Sequence, residues 1–160
     1  MPYRLETRIW LPAPLDTVFA FFADAANLEA IAPPFLRLKV VRPVRTMQRG
    51  ARVDYRLQLR GVPFRWRTQI TVWEPNARFR DEQRRGPYRF WRHSHLFRSE
   101  RDGTIVEDGV DYDVPGGHLL HQWLVGPDLV RIFTYRQERL GEIFGRDPEA
   151  PVRVVIQRKL

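Results

Sequence analysis

The chain opens on a strict alternation. Tyr3, Leu5, Thr7 and Ile9 fall on one side and Arg4, Glu6 and Arg8 on the other, the period of a half-buried strand. Trp10-Leu11-Pro12-Ala13-Pro14 stops it, and Pro14 suits the first turn of a helix. Leu15, Val18, Phe19 and Phe22 then recur at helical spacing, which makes one apolar stripe. Asn27 is placed to cap a second short helix, Leu28 to Ala32. Pro33-Pro34 must end it, because a residue before proline is pushed out of the helical region.

From there the period changes to two. Leu36, Leu38 and Val40 alternate with Arg37 and Lys39. Ala51, Val53, Tyr55, Leu57 and Leu59 alternate with charged or amide residues. A turn at Arg60-Gly61-Val62-Pro63 leads to Phe64, Trp66, Thr68, Ile70 and Val72, set against Arg65, Arg67, Gln69 and Thr71. Strands follow near 77–84 and 88–98, with a turn at Arg85-Gly86-Pro87 between them, and a loop at 99–103 precedes a last strand near 104–114. Connections this short predict an antiparallel meander. Val114-Pro115-Gly116-Gly117 closes it. Leu119, Leu120, Trp123, Leu129, Val130, Phe133, Leu140, Ile143 and Phe144 return to helical spacing, with a kink or break expected at Gly126-Pro127, where Pro127 opens the main helix. Gly145 is a plausible stop, and residues 146–160 form a tail, either loose or docked.

The expected fold class is therefore α+β, one domain over 1–145. An antiparallel sheet of about seven strands, in the order β-α-α-β-β-β-β-β-β-α, lies against a long C-terminal helix. In the strands at 51–60 and 64–73 the arginines take the face opposite the apolar one, so one face of the sheet is wet and basic. The other must be covered, and the long apolar helix is the obvious cover.

Composition narrows the function classes. An apolar fraction of 43% and a charged fraction of 29% describe an ordinary globular chain. The absence of cysteine excludes disulfides, thiolate catalysis and cysteine metal sites. Charges at Arg4, Glu6 and Arg8 stand where a signal peptide needs an apolar core, and no apolar run approaches the roughly 18–20 residues of a membrane span, so a cytoplasmic location is expected. The net charge is +8, and all 27 basic residues are arginine except Lys39 and Lys159. This balance reads as a solvated arginine-coated face.

Several segments carry a family likeness. Trp10-Leu11-Pro12-Ala13-Pro14 with Val18-Phe19-Ala20-Phe21-Phe22-Ala23-Asp24, then Asn27-Leu28 and Ile31-Ala32-Pro33-Pro34, resemble the opening of bacterial START-type proteins. That superfamily includes plant pollen allergens, polyketide cyclases and StAR-related lipid-transfer domains. Gly86-Pro87-Tyr88 with Trp91, His93, His95 and Phe97 resembles a bacterial polyketide cyclase/dehydrase-like branch. So do Asp108, Val110, Tyr112 and Pro115, and the run Arg131 to Arg136. The resemblance implies a helix-grip fold, a sheet curved round the last helix, with a cavity for lipids, quinones, isoprenoids or polyketides. Its members include carriers and enzymes, so function must come from the site.

Polar residues on the cavity-facing sets mark that site. Residues two apart on a strand share a face, so His93 and His95 accompany Trp91 and Phe97. Asp108 stands among Thr104, Val106, Val110 and Tyr112, and Asp81 and Gln83 follow Ala77 and Phe79. Left unpaired, such buried groups cost several kcal/mol, so they must meet each other, water or a ligand. With a turn at 99–102, His93 opposes Asp108 and His95 opposes Val106; a turn centred on Gly86 sets Asp81 opposite Trp91, or opposite His93 after a two-residue shift. A row of Asp81, His93 and Asp108 follows, three candidate catalytic groups. His-x-His is a weak metal signal and the resemblance implies none, so neither metal nor cofactor is expected. His118 and His121 read as polar residues at a helix start. Ser94 and Ser99 lack the strand–turn–helix elbow of a nucleophilic serine, and there is no phosphate-cradling glycine loop.

The leading expectation is binding or carriage of a small lipophilic molecule. Tyr55, Leu57, Trp66, Thr68, Ile70, Trp91, Tyr112, Val130 and Phe133 would form the walls, and Asp81, Gln83, His93, His95 and Asp108 would orient the ligand. A cyclase or dehydratase using a His/Asp acid–base pair in the same cavity is the alternative. A third reading, nucleic acid or an anionic membrane surface bound by the arginine face, lacks the exposed interleaved aromatics of single-strand binders. No specific nucleic acid is expected, and membrane contact is limited to transient approach to an anionic surface.

Overall fold

The structure is a computed structural model and describes every residue except Met1, Pro43, Arg45 and Pro148. Strand β1 (Pro2–Leu11) leads to helices α1 (Leu15–Ala23) and α2 (Asn27–Ile31), and a single 3-10 turn spans Pro34–Leu36. The sheet continues through β2 (Lys39–Val40), β3 (Arg52–Leu59), β4 (Val62–Glu74), β5 (Arg78–Arg85), β6 (Phe90–Glu100) and β7 (Gly103–Asp113). Helices α3 (Gly117–Leu120) and α4 (Gly126–Phe144) come next, and β8 (Val154–Arg158) closes the chain. The strands form one sheet in the order β2-β3-β4-β5-β6-β7-β1-β8, each neighbour antiparallel. This is the expected α+β helix-grip arrangement, with eight strands rather than seven.

The extra strand is the tail. Val154-Val155-Ile156 is a β-branched run, which suits a pleated surface. It pairs with the free edge of β1, setting Leu5 opposite Ile156 and Tyr3 opposite Arg158. Lys159 Nζ lies 2.6 Å from Asp111 Oδ1, and Arg4 Nη1 holds the other oxygen at 2.9 Å. Within the tail, Val154–Arg158 is therefore the edge strand of the sheet.

Two registers differ from expectation. The β6–β7 hairpin turns on Arg101-Asp102 alone, both in the left-handed region (φ 50° and 58°), so Glu100 opposes Gly103. A tight turn of this hand matches the strand twist. It slides the ladder by two positions, so that His95, not His93, opposes Asp108, and His93 opposes Val110. A two-residue slip preserves each side chain's face, which is why the inward sets survive while the partners change. On β5–β6, Asp81 opposes His93, the shifted alternative. In β4 a bulge between Ile70 and Val72 reverses the phase beyond it. Trp73 rather than Val72 then opposes Phe79 and packs 5.3 Å from the Phe19 ring.

The helix does not break at Gly126-Pro127. A π-helical stretch, His121–Val125, joins α3 to α4, with Gly126 N–H donating to His121 O. Widening the turn accommodates the missing proline donor within a continuous helical segment. His121 stacks on Tyr3 at 3.5 Å and shares a 2.8 Å hydrogen bond with the Tyr112 hydroxyl, and His118 Nδ1 meets the Tyr3 hydroxyl at 3.0 Å.

The inner face holds two apolar clusters. Leu11, Phe19, Ile70, Phe79, Phe97, Val106 and Leu140 belong to one, and Leu5, Trp91, Val110, Tyr112, Leu129 and Phe133 to the other. On the outer face Arg52, Arg56 and Arg65 are exposed, and Arg67, Arg92 and Arg98 form cross-strand ion pairs with Asp54, Glu82 and Glu107. Among the described residues no helix is long and apolar enough to cross a membrane.

Candidate functional site

A belt of polar side chains runs between the two apolar clusters, one group from nearly every element it crosses. Along β6 the inward order is Trp91, His93, His95, Phe97; along β7 it is Val106, Asp108, Val110; along β1 it is Leu5, Thr7. Helix α4 supplies Arg136 and Gln137 between Phe133 and Leu140, and β4 and β5 supply Thr68 and Asp81. His93, His95, Asp108, Arg136 and Gln137 are all buried.

The belt is connected. Thr68 Oγ1 donates to Asp81 Oδ1 at 3.0 Å, and His95 Nε2 lies 3.2 Å from Asp81 Oδ2. The other ring nitrogen of His95, Nδ1, stands 2.8 Å from Asp108 Oδ1, an ion-pair approach whose direction is bent away from a hydrogen bond. Asp108 Oδ1 also meets His93 Nε2 at 3.1 Å, and Arg136 Nη2 approaches it to 3.8 Å. Its Oδ2 accepts from Thr7 Oγ1 at 3.2 Å, and Thr7 in turn accepts from Gln137 Nε2 at 3.2 Å.

These neighbours fix the charges. Burial alone would raise the Asp108 pKa, but Arg136, His93 and His95 outweigh it and hold the carboxyl well below the usual range. Burial likewise opposes ionisation of Asp81, and the hydrogen bond from His95, with the charges of His93 and His95 and the Thr68 hydroxyl, overcomes it. Burial disfavours a charged His95, yet carboxylates at both ring nitrogens raise its pKa. His93 goes the other way: burial, then the His95 charge, push it down to about 4, so it is neutral at pH 7. An ionised Asp108 only accepts, so His93 carries its proton on Nε2 and leaves Nδ1 as an acceptor.

Beside the belt lies a cavity of about 180 Å³ between the sheet, α1, α2 and α4. Tyr55, Leu57, Trp66, Thr68, Ile70, Asp81, Trp91, His93, His95 and Phe133 line it. Four residues expected there do not. Asp108 sits behind the two histidines, and Tyr112 is held by His121 inside the second apolar cluster. Gln83 instead holds the Tyr88 backbone, donating to its carbonyl and accepting from its N–H. Val130 is 40% exposed, because the cavity stripe of α4 is Leu129, Ile132, Phe133 and Arg136.

The residue overlooked in sequence is Arg136. Its signal was legible: a charged position seven after Leu129 and three after Phe133, on an otherwise apolar helical stripe. Thr7 lay on the apolar face of β1 in the same way.

Asp81, His93 and His95 also bring three ligating atoms within 4.8 Å of one another, a donor set that suits a divalent transition ion. Here Asp81 and His95 already pair with each other, and His93 with Asp108. A cation would have to displace the His95 proton, and the Arg136 charge next to Asp108 works against a second positive centre.

Known proteins share the fold that carries this site. The sequence matches the family model described as polyketide cyclase / dehydrase and lipid transport over residues 11–140. No curated protein matches it. Among solved structures, it is similar to the protein CV1439 from Chromobacterium violaceum, with a TM-score of 0.70 and 14% identity over 90% of this chain and 99% of that one. A START superfamily protein from Mycobacterium smegmatis superposes with a TM-score of 0.65 at 13% identity, covering 88% and 99% of the two chains. The major latex-like protein 151 of Panax ginseng gives 0.66 at 10% identity, covering 89% and 97%. At such identities the likeness is one of fold. The family match is broader evidence, running from the end of β1 to the last turns of α4, and the chain belongs to the polyketide cyclase/dehydrase and lipid transport family.

Proposed function

We propose that the protein binds a small, largely apolar molecule between the sheet and α4. The ligand body rests on Tyr55, Leu57, Trp66, Trp91 and Phe133, and one polar end turns toward Asp81, His93 and His95. A mainly apolar cavity of about 180 Å³ with a charged cluster on one wall supports this reading above all. That volume is only a little above the ~150 Å³ that accommodates benzene in a protein core. It favours compounds of one or two rings over long acyl chains.

Native mass spectrometry of freshly purified protein, followed by thermal shift with ring compounds of graded size, tests the proposal. A ligand that binds only the folded state adds about 2.7 kcal/mol at a hundredfold excess over Kd. The expected result is a saturable upward shift for at least one such compound, abolished when Ile132→Trp fills the cavity. Equal shifts in wild type and filled variant would place binding elsewhere.

Acid–base catalysis of a cyclisation or dehydration is the second reading. One observation favours it: a neutral imidazole, His93, at the cavity wall with an unprotonated nitrogen. Turnover of a trial keto-ester that His93→Ala abolishes while binding persists supports the enzyme; binding without turnover supports the carrier.

A further inference from the structure

Among the described residues Arg136 is a buried cation with an incomplete set of partners. It projects from the cavity stripe of α4 with only 7% of its surface exposed. A guanidinium presents a planar fork of N–H donors and no acceptor. Its Nε has no hydrogen-bond partner. Among the described residues the carboxylate oxygen that approaches it, Asp108 Oδ1, is 3.8 Å from Nη2, beyond hydrogen-bond length, and that oxygen already serves His93 and His95. The Phe22 and Phe133 rings cover the guanidinium at 5.4 and 5.8 Å, which stabilises its charge but accepts none of its protons well.

A buried cation in this state is costly, by several kcal/mol, unless something completes its shell. Asp108 is engaged on its far side by Thr7. Among the described residues no hydrogen bond from its Nε is formed, and Arg136 lines the cavity together with Tyr55, whose hydroxyl feels its charge. We infer that the occupant of this cavity carries a carboxylate, which the Arg136 fork receives while the apolar body of the ligand lies between Phe133 and the strands. The ligand class is then a planar acid of one or two rings. Neutral lipids and simple hydrocarbons lack the group that Arg136 is placed to hold. This inference rests on the cavity-binding proposal and sharpens it.

The geometry suits a carboxylate better than a carbonyl. The guanidinium fork pairs two parallel N–H groups with two oxygens, and charge-assisted bonds of this kind are roughly twice as strong as neutral ones. His93 Nδ1, an acceptor on the same wall, offers nothing to a carboxylate until it is protonated, but it can take a hydroxyl donated from an ortho position of the ring. Hydroxy acids are therefore the favoured members of the class.

Matched ligand pairs supply the test. Titration calorimetry compares benzoate with benzamide, salicylate with salicylamide, and 2-naphthoate with 2-naphthamide, on wild type, Arg136→Met and Arg136→Lys. The expected result is an acid preference of about 10- to 100-fold in wild type, lost in Arg136→Met and partly kept in Arg136→Lys, which retains charge without the fork. Circular dichroism identifies any variant that fails to fold, and the wild-type comparison decides the matter without it. If amides bind as tightly as acids, the carboxylate inference falls while the cavity proposal stands. If neither member of any pair binds, both fall.

Discussion

Asp108→Asn isolates what the polar belt contributes. The change is isosteric, so it opens no cavity, and it removes one buried charge. Asp108 is fully enclosed, with His93, His95 and Arg136 around Oδ1 and Thr7 on Oδ2. An amide in its place leaves Arg136 without an anion and sets an N–H₂ group or a neutral oxygen against donors. Removing one partner of a buried ion pair costs about 3–5 kcal/mol. In a chain of this size that corresponds to a fall in Tm of about 6–20 °C. Urea denaturation at pH 7 with an unchanged m value, together with calorimetry, measures it. The double variant Asp108→Asn, Arg136→Met should recover part of the loss, because the orphaned cation is gone, with a coupling of about 1–3 kcal/mol. A loss below about 1 kcal/mol, or strict additivity in the double variant, would refute the idea that Asp108 is the hub of the belt. The same carboxylate has a definite pH signature. Its pKa is depressed in the fold, so its contribution is present above the unfolded value of about 3.9 and disappears as pH falls through the folded one.

The two belt histidines act in opposite senses. His93 is held neutral down to about pH 4, so stability should climb between about pH 4 and 6.5, at up to about 1.4 kcal/mol per unit, and His93→Gln should flatten that limb; an unchanged slope in the variant would be contrary. His95 is raised, so its stabilisation is complete below about pH 6.5 and is lost as pH rises through the folded value; a ¹⁵N NMR titration should show its ring losing its proton at a higher pH than an unperturbed imidazole, and a lower midpoint would be contrary. Helix phase is checked by Leu129→Ala, which should cost about 2–4 kcal/mol in urea denaturation, against under 1 kcal/mol for the exposed neighbour Val130→Ala. Truncation after Asp147 removes β8 and uncovers β1, and should lower stability by about 2–4 kcal/mol through the lost packing of Val154 and Ile156. Retention of full stability would mean that the eighth strand is dispensable.

Strand faces were legible in the sequence because alternation is a local property, and a slip of two residues leaves it intact. That is why alternation alone puts His93, His95, Asp81 and Asp108 on the inner face, where the structure also has them. Their partners were not legible. The β6–β7 ladder depends on whether Arg101 and Asp102, neither of them glycine, accept left-handed backbone, and composition alone does not decide this. The bulge at Thr71 escaped for a related reason, since Val72 and Trp73 are both apolar and the pattern tolerates either phase. Arg136 was missed because a basic residue on an amphipathic helix ordinarily belongs to its wet face. Only the depth of α4 in the sheet shows that this one faces inward. The tail is ambiguous in sequence because β-branched residues mixed with charges suit an edge strand and a free arm equally well, and Val154–Arg158 finds its partner only in the free edge of β1.

The central claim is that the space between the sheet and α4 receives a ligand, and intermolecular NOE measurement tests it most directly. With ¹³C-labelled protein and unlabelled 2-naphthoate or salicylate in solution at pH 7, cross-peaks are expected from the ligand ring protons to the side chains of Trp91, Phe133 and Ile132, all on the cavity wall. Cross-peaks confined to exposed residues such as Trp123 and Leu119, or none to the cavity wall at saturating ligand, would contradict it.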